Sequence, residues 1–272
     1  MATITFSDQQ FKYISELMYG LVGLSFNDSK KSLIASRLTP RIQRLGLDSF
    51  DDYLAMLADE TQGAELQMAI DLLTTNETYF FREPRHYEVL ESELTSRRSR
   101  APLAVWSAAA SFGDEAYSTA MLLADLQVQG KIGPDWSILA TDISQRVLLA
   151  AKDAVYPADR LRDVSPARLR RYCLRGEGPA EGQVMIQDAL RERVSFGLLN
   201  LCKPFEDLGP FDVVFLRNVL IYFDVATKRE VVDRVLTTLR PGGLFFMGTA
   251  EGRVNCQTPL IAVQPGAYRK GG

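Results

Sequence analysis

Apolar side chains recur at helical spacing through the first quarter of the chain. The segment 7–22 repeats them every three or four positions, as expected for one buried face of a helix. It opens with Ser7 and Gln10 in a capping-box pattern. The same periodicity predicts further helices over 28–46, from Ser49 onward and over 64–73. No strand pattern precedes Leu103, so we predict an all-helical N-terminal domain over residues 1–85.

From Leu103 onward, short apolar runs alternate with helical segments. Predicted strands cover 103–108, 136–141, 193–200, 211–217 and 243–249, and predicted helices cover 114–127, 144–154 and 225–239. A run such as 212–216, apolar at nearly every position, is typical of a parallel strand that is buried on both faces. The alternation therefore predicts a doubly wound, Rossmann-like α/β domain over 86–272, which binds ligands at the carboxyl ends of its strands.

The alternation is interrupted before residue 195. Turn-forming residues at 175–179 and 181–182 precede short strand candidates at 184–186 and 194–196. We predict a small antiparallel β-subdomain inserted at about 168–195. A surface hairpin without a role is the usual interpretation of such an insertion. The alternative is that its open strand edge adds a strand from a partner.

The composition narrows the classes of function. The 272 residues include 46% hydrophobic and 24% charged side chains, with a net charge of −3, one histidine and three cysteines. No apolar run approaches the roughly 20 residues that span a bilayer, so we expect no membrane insertion. The net charge argues against a globally basic nucleic-acid binder. One histidine and three separated cysteines predict no metal site, no disulfide framework and a cytoplasmic location.

Three arginines of the second predicted helix share one face. Arg37, Arg41 and Arg44 lie at positions i, i+4 and i+7, with Lys30 and Lys31 before them. A solvated helix face is the ordinary interpretation of such a run. The alternative is a docking surface for an acidic partner, because guanidinium groups in a row pair well with carboxylates.

Candidate chemistry follows the first two predicted strands. Gly113 permits a tight turn and a close backbone approach after the first strand, and Asp142 places a carboxylate after the second. In doubly wound folds an acid at that place hydrogen-bonds ribose hydroxyls; the alternative role of Asp142 is to cap the next helix. A G-x-G-x-x-G fingerprint is missing, so the two features indicate an adenosine-containing ligand without a pyrophosphate grip.

Two further segments are dense in polar and aromatic residues. The first is TTNETYFFRE at 74–83, which a capped loop with aromatic packing would explain without any function. The second is FLRNVLIYFD at 215–224, which follows the fourth strand and offers Arg217, Asn218 and Tyr222 near the same cleft. Most apolar residues of the second segment belong to the core.

Together these segments resemble the chemotaxis receptor methyltransferases, the CheR family, from the helical domain to about residue 250. The matching stretches are 74–83, VWSAAAS at 105–111, ATDI at 140–143, 170–182, FD at 211–212 and RNVLIYFD at 217–224. Two motifs depart from the family pattern. Gly113-Asp-Glu-Ala116 replaces Gly-Glu-Glu-Pro, and Gly248-Thr-Ala-Glu251 replaces Gly-His-Ser-Glu, so no role of that histidine transfers.

The resemblance implies an enzyme that uses S-adenosylmethionine to methylate glutamate side chains on the cytoplasmic helices of chemoreceptors, releasing S-adenosylhomocysteine. It implies a cofactor site made by Asn76, Thr78, Arg82, Glu115, Asp142, Asn200, Leu201, Arg217 and Asn218. Arg82 and Tyr222 are the predicted catalytic pair, nearest the transferred methyl. The resemblance also favours receptor docking by Arg37, Arg41 and Arg44. In part of the family the β-subdomain binds a receptor C-terminal peptide, and we predict the same here.

We expect a cytoplasmic monomer without a metal or a nucleic-acid partner. Three other classes of function stay open at this point. One is a methyltransferase-like adapter or sensor without turnover. The second is a nucleic-acid methyltransferase, against which the net charge and the lack of a base-stacking motif argue. The third is a small-molecule O-methyltransferase.

Overall fold

The N-terminal part of the protein is all-helical, as the sequence pattern predicts. The computed structural model describes residues 4–97, 100–205, 207–252 and 255–271. The first helices are α1 (Asp8–Val22), α2 (Lys31–Arg44), α3 (Phe50–Ala58) and α4 (Gly63–Leu73). Their apolar faces enclose one buried cluster, in which Ile14, Ile34 and Phe50 are fully buried. Burial of these faces, more than helix propensity, holds such short helices together.

The predicted start of α1 is confirmed in detail. The backbone N–H of Gln10 donates to Ser7 Oγ at 3.2 Å, and the N–H of Ser7 donates to Gln10 Oε1 at 2.8 Å. The rings of Phe6 and Phe11 pack edge to face on either side of this cap, with 6.4 Å between centroids. A 3-10 turn at Asp28–Lys30 precedes α2, so the α-helix begins slightly later than predicted.

Helix α5 (Pro84–Arg97) is one that the sequence pattern does not predict. Tyr87, Leu90 and Leu94 on this helix belong to the buried cluster of the main sheet rather than to that of α1 to α4. Many charged positions in α5 obscure its apolar stripe. The helix therefore packs with the second part of the protein.

The second part is built on the alternation that the sequence predicts. Its strands are β1 (Leu103–Ala108), β2 (Trp136–Asp142), β3 (Val155–Pro157), β4 (Cys173–Arg175), β5 (Gln183–Ile186), β6 (Val194–Leu198), β7 (Phe211–Leu216), β8 (Leu239–Met247), β9 (Leu260–Gln264) and β10 (Ala267–Lys270). Its helices are α6 (Asp114–Val128), α7 (Gln145–Asp153), α8 (Pro166–Tyr172), α9 (Asp188–Arg191) and α10 (Val225–Thr237).

The described residues form one sheet of seven strands in the order β6-β2-β1-β7-β8-β10-β9. The first five run parallel, and β10 runs antiparallel between β8 and β9. The chain moves outward from β1 to β2 and β6, and then returns to the other side of β1 as β7 and β8. This reversal places a ligand-binding crevice at the carboxyl ends of β1 and β7.

Both faces of the sheet are covered, as the continuous apolar runs predict. Val105 and Phe215 belong to one buried cluster, whereas Trp106 and Val214 belong to another on the opposite face. Successive strand residues point to opposite faces, so each strand contributes to both clusters. The doubly wound fold class is confirmed. Among the described helices, none combines the length and the hydrophobicity needed to cross a membrane.

The small antiparallel sheet has the order β3-β5-β4 and differs in two ways from the prediction. Its first strand, β3, lies upstream of the predicted start of the insertion, directly after α7. Val194 to Phe196, predicted also as a subdomain strand, belongs to β6, because it pairs in parallel with Ile138 to Ala140 of β2. The domain boundaries at residues 85 and 86 stay predictions.

Candidate active site

A cleft opens at the carboxyl edge of the main sheet, where the loops after β1, β2 and β7 meet the segment after α4. Its free volume, counting the open mouth, is about 940 Å³, within the range of roughly 300–1,000 Å³ that small-molecule pockets cover. The residues predicted for the cofactor and for catalysis all line it: Asn76, Thr78, Arg82, Glu115, Asp142, Asn200, Leu201, Arg217, Asn218 and Tyr222. The structure therefore brings these side chains together, while their contacts with a ligand stay predictions.

Asp142 ends β2 and is buried beside the cleft, with 6% of its surface exposed. Its Oδ2 accepts a hydrogen bond from the backbone N–H of Ser111 at 2.8 Å, and its Oδ1 accepts one from the N–H of Ser144 at 2.9 Å. Burial raises the pKa of Asp142, and these amides act in the opposite direction. The carboxylate thus joins the loop after β1 to the start of α7, and its two oxygens keep some acceptor capacity for a ligand hydroxyl.

Gly113 forms the tight turn that was predicted after β1. It has a φ of 85°, and a Cβ there would lie 3.1 Å from the Cβ of Ala151. Helix α6 begins directly after it, and Asp114 in the first turn is fully buried against Arg160, with 2.7 Å between Oδ1 and Nε. The glycine therefore lets the backbone turn where a side chain would both strain it and collide with α7.

Glu115 and Arg217 pair across the cleft wall. Arg217 Nη1 donates to Glu115 Oε2 at 3.1 Å, and Ser107 Oγ donates to the other carboxylate oxygen at 2.7 Å. Burial raises the pKa of Glu115, and the Arg217 guanidinium acts to lower it. A buried carboxylate with a cationic partner is a common feature of functional sites.

Arg217 is almost completely buried and also holds the turn before α5. Its Nη2 donates to the backbone carbonyl oxygen of Arg82, and its guanidinium lies 3.8 Å from Glu83 Oε2. The Nε–H of Arg217 has no partner among the described residues. The guanidinium lies over the ring of Tyr87 on α5, 5.8 Å from its centroid, so the buried side of Arg217 faces the core rather than the open cleft.

Two glutamates support the loops of the cleft and were not singled out from the sequence. Glu83 Oε1 accepts from Asn218 Nδ2 at 3.2 Å, and Glu83 Oε2 accepts from the N–H of Thr249 at 3.1 Å. Glu251 is buried and accepts from the backbone N–H groups of Leu220 and Gly248 at 2.7 and 2.6 Å. In the sequence, Glu83 is the last residue of the segment 74–83, and Glu251 is the last residue of the motif Gly248-Thr-Ala-Glu251.

Arg82 and Tyr222 lie on the rim of the cleft. Arg82 Nη1 donates to the carbonyl oxygen of Glu77 at 2.8 Å, and Tyr222 Oη donates to the carbonyl oxygen of Thr75 at 3.4 Å. Burial raises the pKa of Tyr222, while the Arg82 guanidinium acts to lower it, so the phenol is protonated at neutral pH. A cationic and a neutral donor therefore stand next to one another at the mouth.

Asn200 joins the helical part to the sheet part. Its Nδ2 donates to the carbonyl oxygen of Leu21 at 2.7 Å, and its Oδ1 accepts from the N–H of Cys202 at 2.9 Å. Val22 and Leu24 from the end of α1 also line the cleft. Nothing in the sequence pattern assigns these two apolar residues to the site, because their part in it depends on how α1 meets the sheet.

The three arginines of the predicted docking face have different surroundings. Arg41 pairs with the buried carboxylate of Glu65, which also accepts from Tyr53 Oη at 2.9 Å. Arg37 is half-buried and donates to backbone carbonyl groups at the end of α4. Arg44 is exposed and makes no ion pair or side-chain hydrogen bond with any described residue. Two of the three guanidinium groups are therefore engaged within the protein.

The described residues hold no group of three or more His, Cys, Asp or Glu side chains that is arranged for a metal ion. The side chains that line the cleft include carboxylates, arginines and the phenol of Tyr222. An acid at the end of β2 and an open strand-end crevice suit a nucleoside.

Two protein-family models together match most of the chain. The family described as CheR methyltransferase, all-alpha domain, matches residues 9–74, and the CheR methyltransferase, SAM binding domain, matches residues 76–264. A chemotaxis protein methyltransferase of Salmonella typhimurium is 41% identical over 253 residues, covering 93% of this chain and 86% of that protein.

Two further relatives are similar to this chain over nearly its whole length. The chemotaxis protein methyltransferase of Escherichia coli is 41% identical over 249 residues, covering 91% of this chain and 86% of that protein. Chemotaxis protein methyltransferase 2 of Pseudomonas aeruginosa is 38% identical over 266 residues, covering 97% and 93%. With a helical part, a sheet part and a strand-end cleft that correspond to the two matched regions, this protein belongs to the CheR methyltransferase family.

Proposed function

We propose that this protein transfers the methyl group of S-adenosylmethionine to glutamate carboxylates on the cytoplasmic helices of chemoreceptors, giving glutamate methyl esters. The observation that carries the proposal is the cleft itself: the buried acid Asp142 stands at the end of β2, and Arg82 and Tyr222 stand at the mouth. The family membership and the chemotaxis methyltransferases among its relatives support the same reaction.

The residues of the cleft fit S-adenosylmethionine. Asp142 is in the position to accept from ribose hydroxyl groups. Arg217 lines the cleft and supplies positive charge for an anionic group such as the carboxylate of the methionine moiety. Asn76, Thr78, Asn200, Leu201 and Asn218 supply polar and apolar walls for the rest of the molecule. When bound, the cofactor supplies a methyl group that is activated by its sulfonium sulfur.

The protein needs no general base for this reaction. A glutamate carboxylate has an ordinary pKa of about 4.3 and is already an ionised nucleophile at neutral pH. The single histidine, His86, is buried on α5 against Phe246 and Pro265 and is not among the residues that line the cleft, so it is not placed to act as a base there. What remains for the protein is to hold the two reactants in line, which can contribute about 7–11 kcal/mol to catalysis.

Arg82 and Tyr222 are the proposed catalytic residues, through orientation of the carboxylate. The Arg82 guanidinium attracts and directs the anion, and Tyr222 Oη donates to its second oxygen. Partial exclusion of water by the half-buried mouth would remove the hydration shell that makes a free carboxylate a poor nucleophile. Because Arg82 also stabilises the ground state, we expect positioning to contribute more than charge stabilisation.

The test is methyl transfer to a purified chemoreceptor cytoplasmic fragment. Radiolabelled S-adenosylmethionine should label the fragment, and mild alkali should release the label as methanol, because methyl esters hydrolyse whereas methylated amines do not. Label that resists alkali would contradict a glutamate product. Binding of S-adenosylhomocysteine without any transfer would favour the alternative of a catalytically silent adapter or sensor.

We also propose that the β-subdomain binds the C-terminal peptide of a receptor as a tether. Strands β3 and β4 are the two edges of its sheet, and Leu174 on β4 is 48% exposed. An edge strand can pair with an extended peptide through backbone hydrogen bonds. Calorimetric titration with receptor C-terminal peptides tests this, with Leu174→Ser as the variant and Leu149→Ser, exposed on α7, as the matched control.

We also propose that the arginine face docks the receptor, but the internal contacts of Arg37 and Arg41 limit how much these two side chains can contribute. Arg44 offers a free, exposed guanidinium, and Arg37 and Arg41 offer what their internal contacts leave accessible. A monomeric state, a cytoplasmic location and the lack of a metal or nucleic-acid partner stay predictions from the sequence.

A further inference from the structure

The segment Thr74–Thr78, which we call the pocket strap, forms one wall of the cleft. All five of its residues line the cavity, and none of them lies in a helix or a strand. A wall of this kind has no regular backbone hydrogen bonds of its own. Its conformation therefore depends on groups that reach it from other elements.

Arg37 on α2 reaches the start of the pocket strap with both ends of its guanidinium. Nη1 donates to the carbonyl oxygens of Leu72, Leu73 and Thr74, at 3.3, 3.1 and 3.0 Å. Nη2 donates to Thr75 Oγ1 at 3.2 Å. The carbonyl groups at the end of a helix lack partners within the helix and carry its negative dipole end, so a forked cation is well suited to this place.

Three other elements hold the rest of the pocket strap. Ser111 Oγ donates to the carbonyl oxygen of Asn76 at 3.0 Å. The carbonyl oxygens of Thr75 and Glu77 accept from Tyr222 and Arg82, as described above. The proposed catalytic residues thus hydrogen-bond to the same segment that Arg37 of α2 contacts.

We propose that Arg37 is a positioning residue of the methyl-transfer site, which fixes the pocket strap and so couples the helical part of the protein to cofactor affinity. This rests on the proposed function, because it takes S-adenosylmethionine as the occupant of the cleft. It reassigns Arg37 from the receptor-docking face to the interior of the enzyme. Arg44, which is exposed and makes no such hydrogen bond with a described residue, keeps the proposed docking role.

Loss of Arg37 should free the first residues of the pocket strap before the cofactor binds. Binding of the cofactor must then also restrict the conformation of these residues. The lost conformational entropy weakens binding by about tenfold for each residue that becomes free. Hydrogen exchange at the strap amides should be faster in the variant, while exchange elsewhere in the helical part stays unchanged. A docking residue would affect neither quantity, because both are measured without the receptor.

The experiment compares Arg37→Ala, Arg37→Lys and Arg44→Ala in the full chain, by calorimetric titration with S-adenosylhomocysteine and by urea unfolding. We expect about tenfold weaker binding for Arg37→Ala, recovery to within about threefold for Arg37→Lys, which keeps a cationic donor, and wild-type affinity for Arg44→Ala. In methylation assays, Arg37→Ala should raise the KM for S-adenosylmethionine more than the KM for the receptor.

Wild-type affinity of Arg37→Ala for S-adenosylhomocysteine, combined with a higher KM for the receptor, would overturn the proposal and restore the docking role. If Arg37→Ala does not fold, Thr75→Val provides the test, because it removes one acceptor of the Arg37 guanidinium. It should weaken the binding of S-adenosylhomocysteine several-fold. Unchanged binding would contradict the proposal. Failure of the wild-type protein to bind S-adenosylhomocysteine would instead disprove the proposed function.

Discussion

Arg217 and Glu115 form an ion pair in the wall of the cleft, with 3.1 Å between Nη1 and Oε2. The side chain of Arg217 is 2% exposed and that of Glu115 is 14% exposed. The pair joins the end of β7 to the first turn of α6, two elements on either side of the crevice. Because little solvent reaches either group, the carboxylate of Glu115 depends on the Arg217 guanidinium to remain ionised.

Arg217→Met should destabilise the protein by about 3–5 kcal/mol at neutral pH, because it leaves the Glu115 carboxylate buried without a cation. Burial already raises the pKa of Glu115, and removal of Arg217 should raise it further. A group whose pKa is raised on folding favours the folded state at low pH and loses that contribution as the pH rises through its folded pKa. The cost of Arg217→Met should therefore shrink as the pH falls.

Urea unfolding of the wild type and Arg217→Met from pH 7 to pH 5 measures this cost. Arg217→Lys, which keeps the charge but not the fork, should lose less stability and show less dependence on pH. A stability difference that does not change with pH would mean that Glu115 is not the group left unpaired.

Asp142→Asn should weaken the binding of S-adenosylhomocysteine by about 10- to 100-fold, the value of a charge-assisted hydrogen bond. The two amides donate to different oxygens of Asp142, so the asparagine keeps an acceptor for either Ser111 or Ser144, and the loops should suffer less than in Asp142→Ala. Asp59→Asn is a matched control, since this exposed carboxylate only accepts from Thr61 at 2.9 Å. Unchanged affinity by calorimetry would assign Asp142 to loop support alone.

Arg82→Ala should lower the turnover number by about 10- to 100-fold, because a misplaced carboxylate loses its in-line approach. Its effect on S-adenosylhomocysteine affinity should be smaller. Arg85→Ala, three residues further on and exposed at the start of α5, should leave both quantities unchanged. Equal losses of turnover and affinity in Arg82→Ala would show that Arg82 serves the cofactor rather than the carboxylate.

Arg41→Glu should affect stability and Arg44→Glu should affect receptor methylation, although both reverse a charge on α2. Arg41→Glu places a second carboxylate beside the buried Glu65 and should cost on the order of 3 kcal/mol of unfolding free energy. Arg44→Glu should leave stability unchanged and raise the KM for the receptor several-fold at low salt, since it alters an exposed charge.

Thermal unfolding and methylation assays at two ionic strengths separate the two effects. Screening at high salt should reduce the difference between Arg44→Glu and the wild type. If Arg44→Glu methylates the receptor as well as the wild type at low salt, the exposed end of this face takes no part in docking.

The part of the candidate site that could be predicted from the sequence pattern is the part formed by residues directly after predicted strands. Asp142 directly follows a buried apolar run, and parallel strands in a doubly wound fold bring their carboxyl ends to one edge. Gly113 carries an equally local signal, the tight turn before α6. Helix α5 was not predicted because its many charged residues obscure the apolar stripe. Strand β3 was not predicted because it is only three residues long.

By itself, the sequence pattern determined the doubly wound fold, the helical N-terminal part and the strand-end positions of Gly113 and Asp142, because periodicity and strand ends are local properties of the chain. Most of the other predicted cleft residues followed from the family resemblance. The tertiary structure decided which charges stay free. Arg37, Arg41 and Arg44 have the same spacing signal, yet one fixes the pocket strap, one neutralises Glu65 and one faces solvent. The partners that separate them, Thr74 and Glu65, lie on or after α4 and reach α2 only when the helices pack.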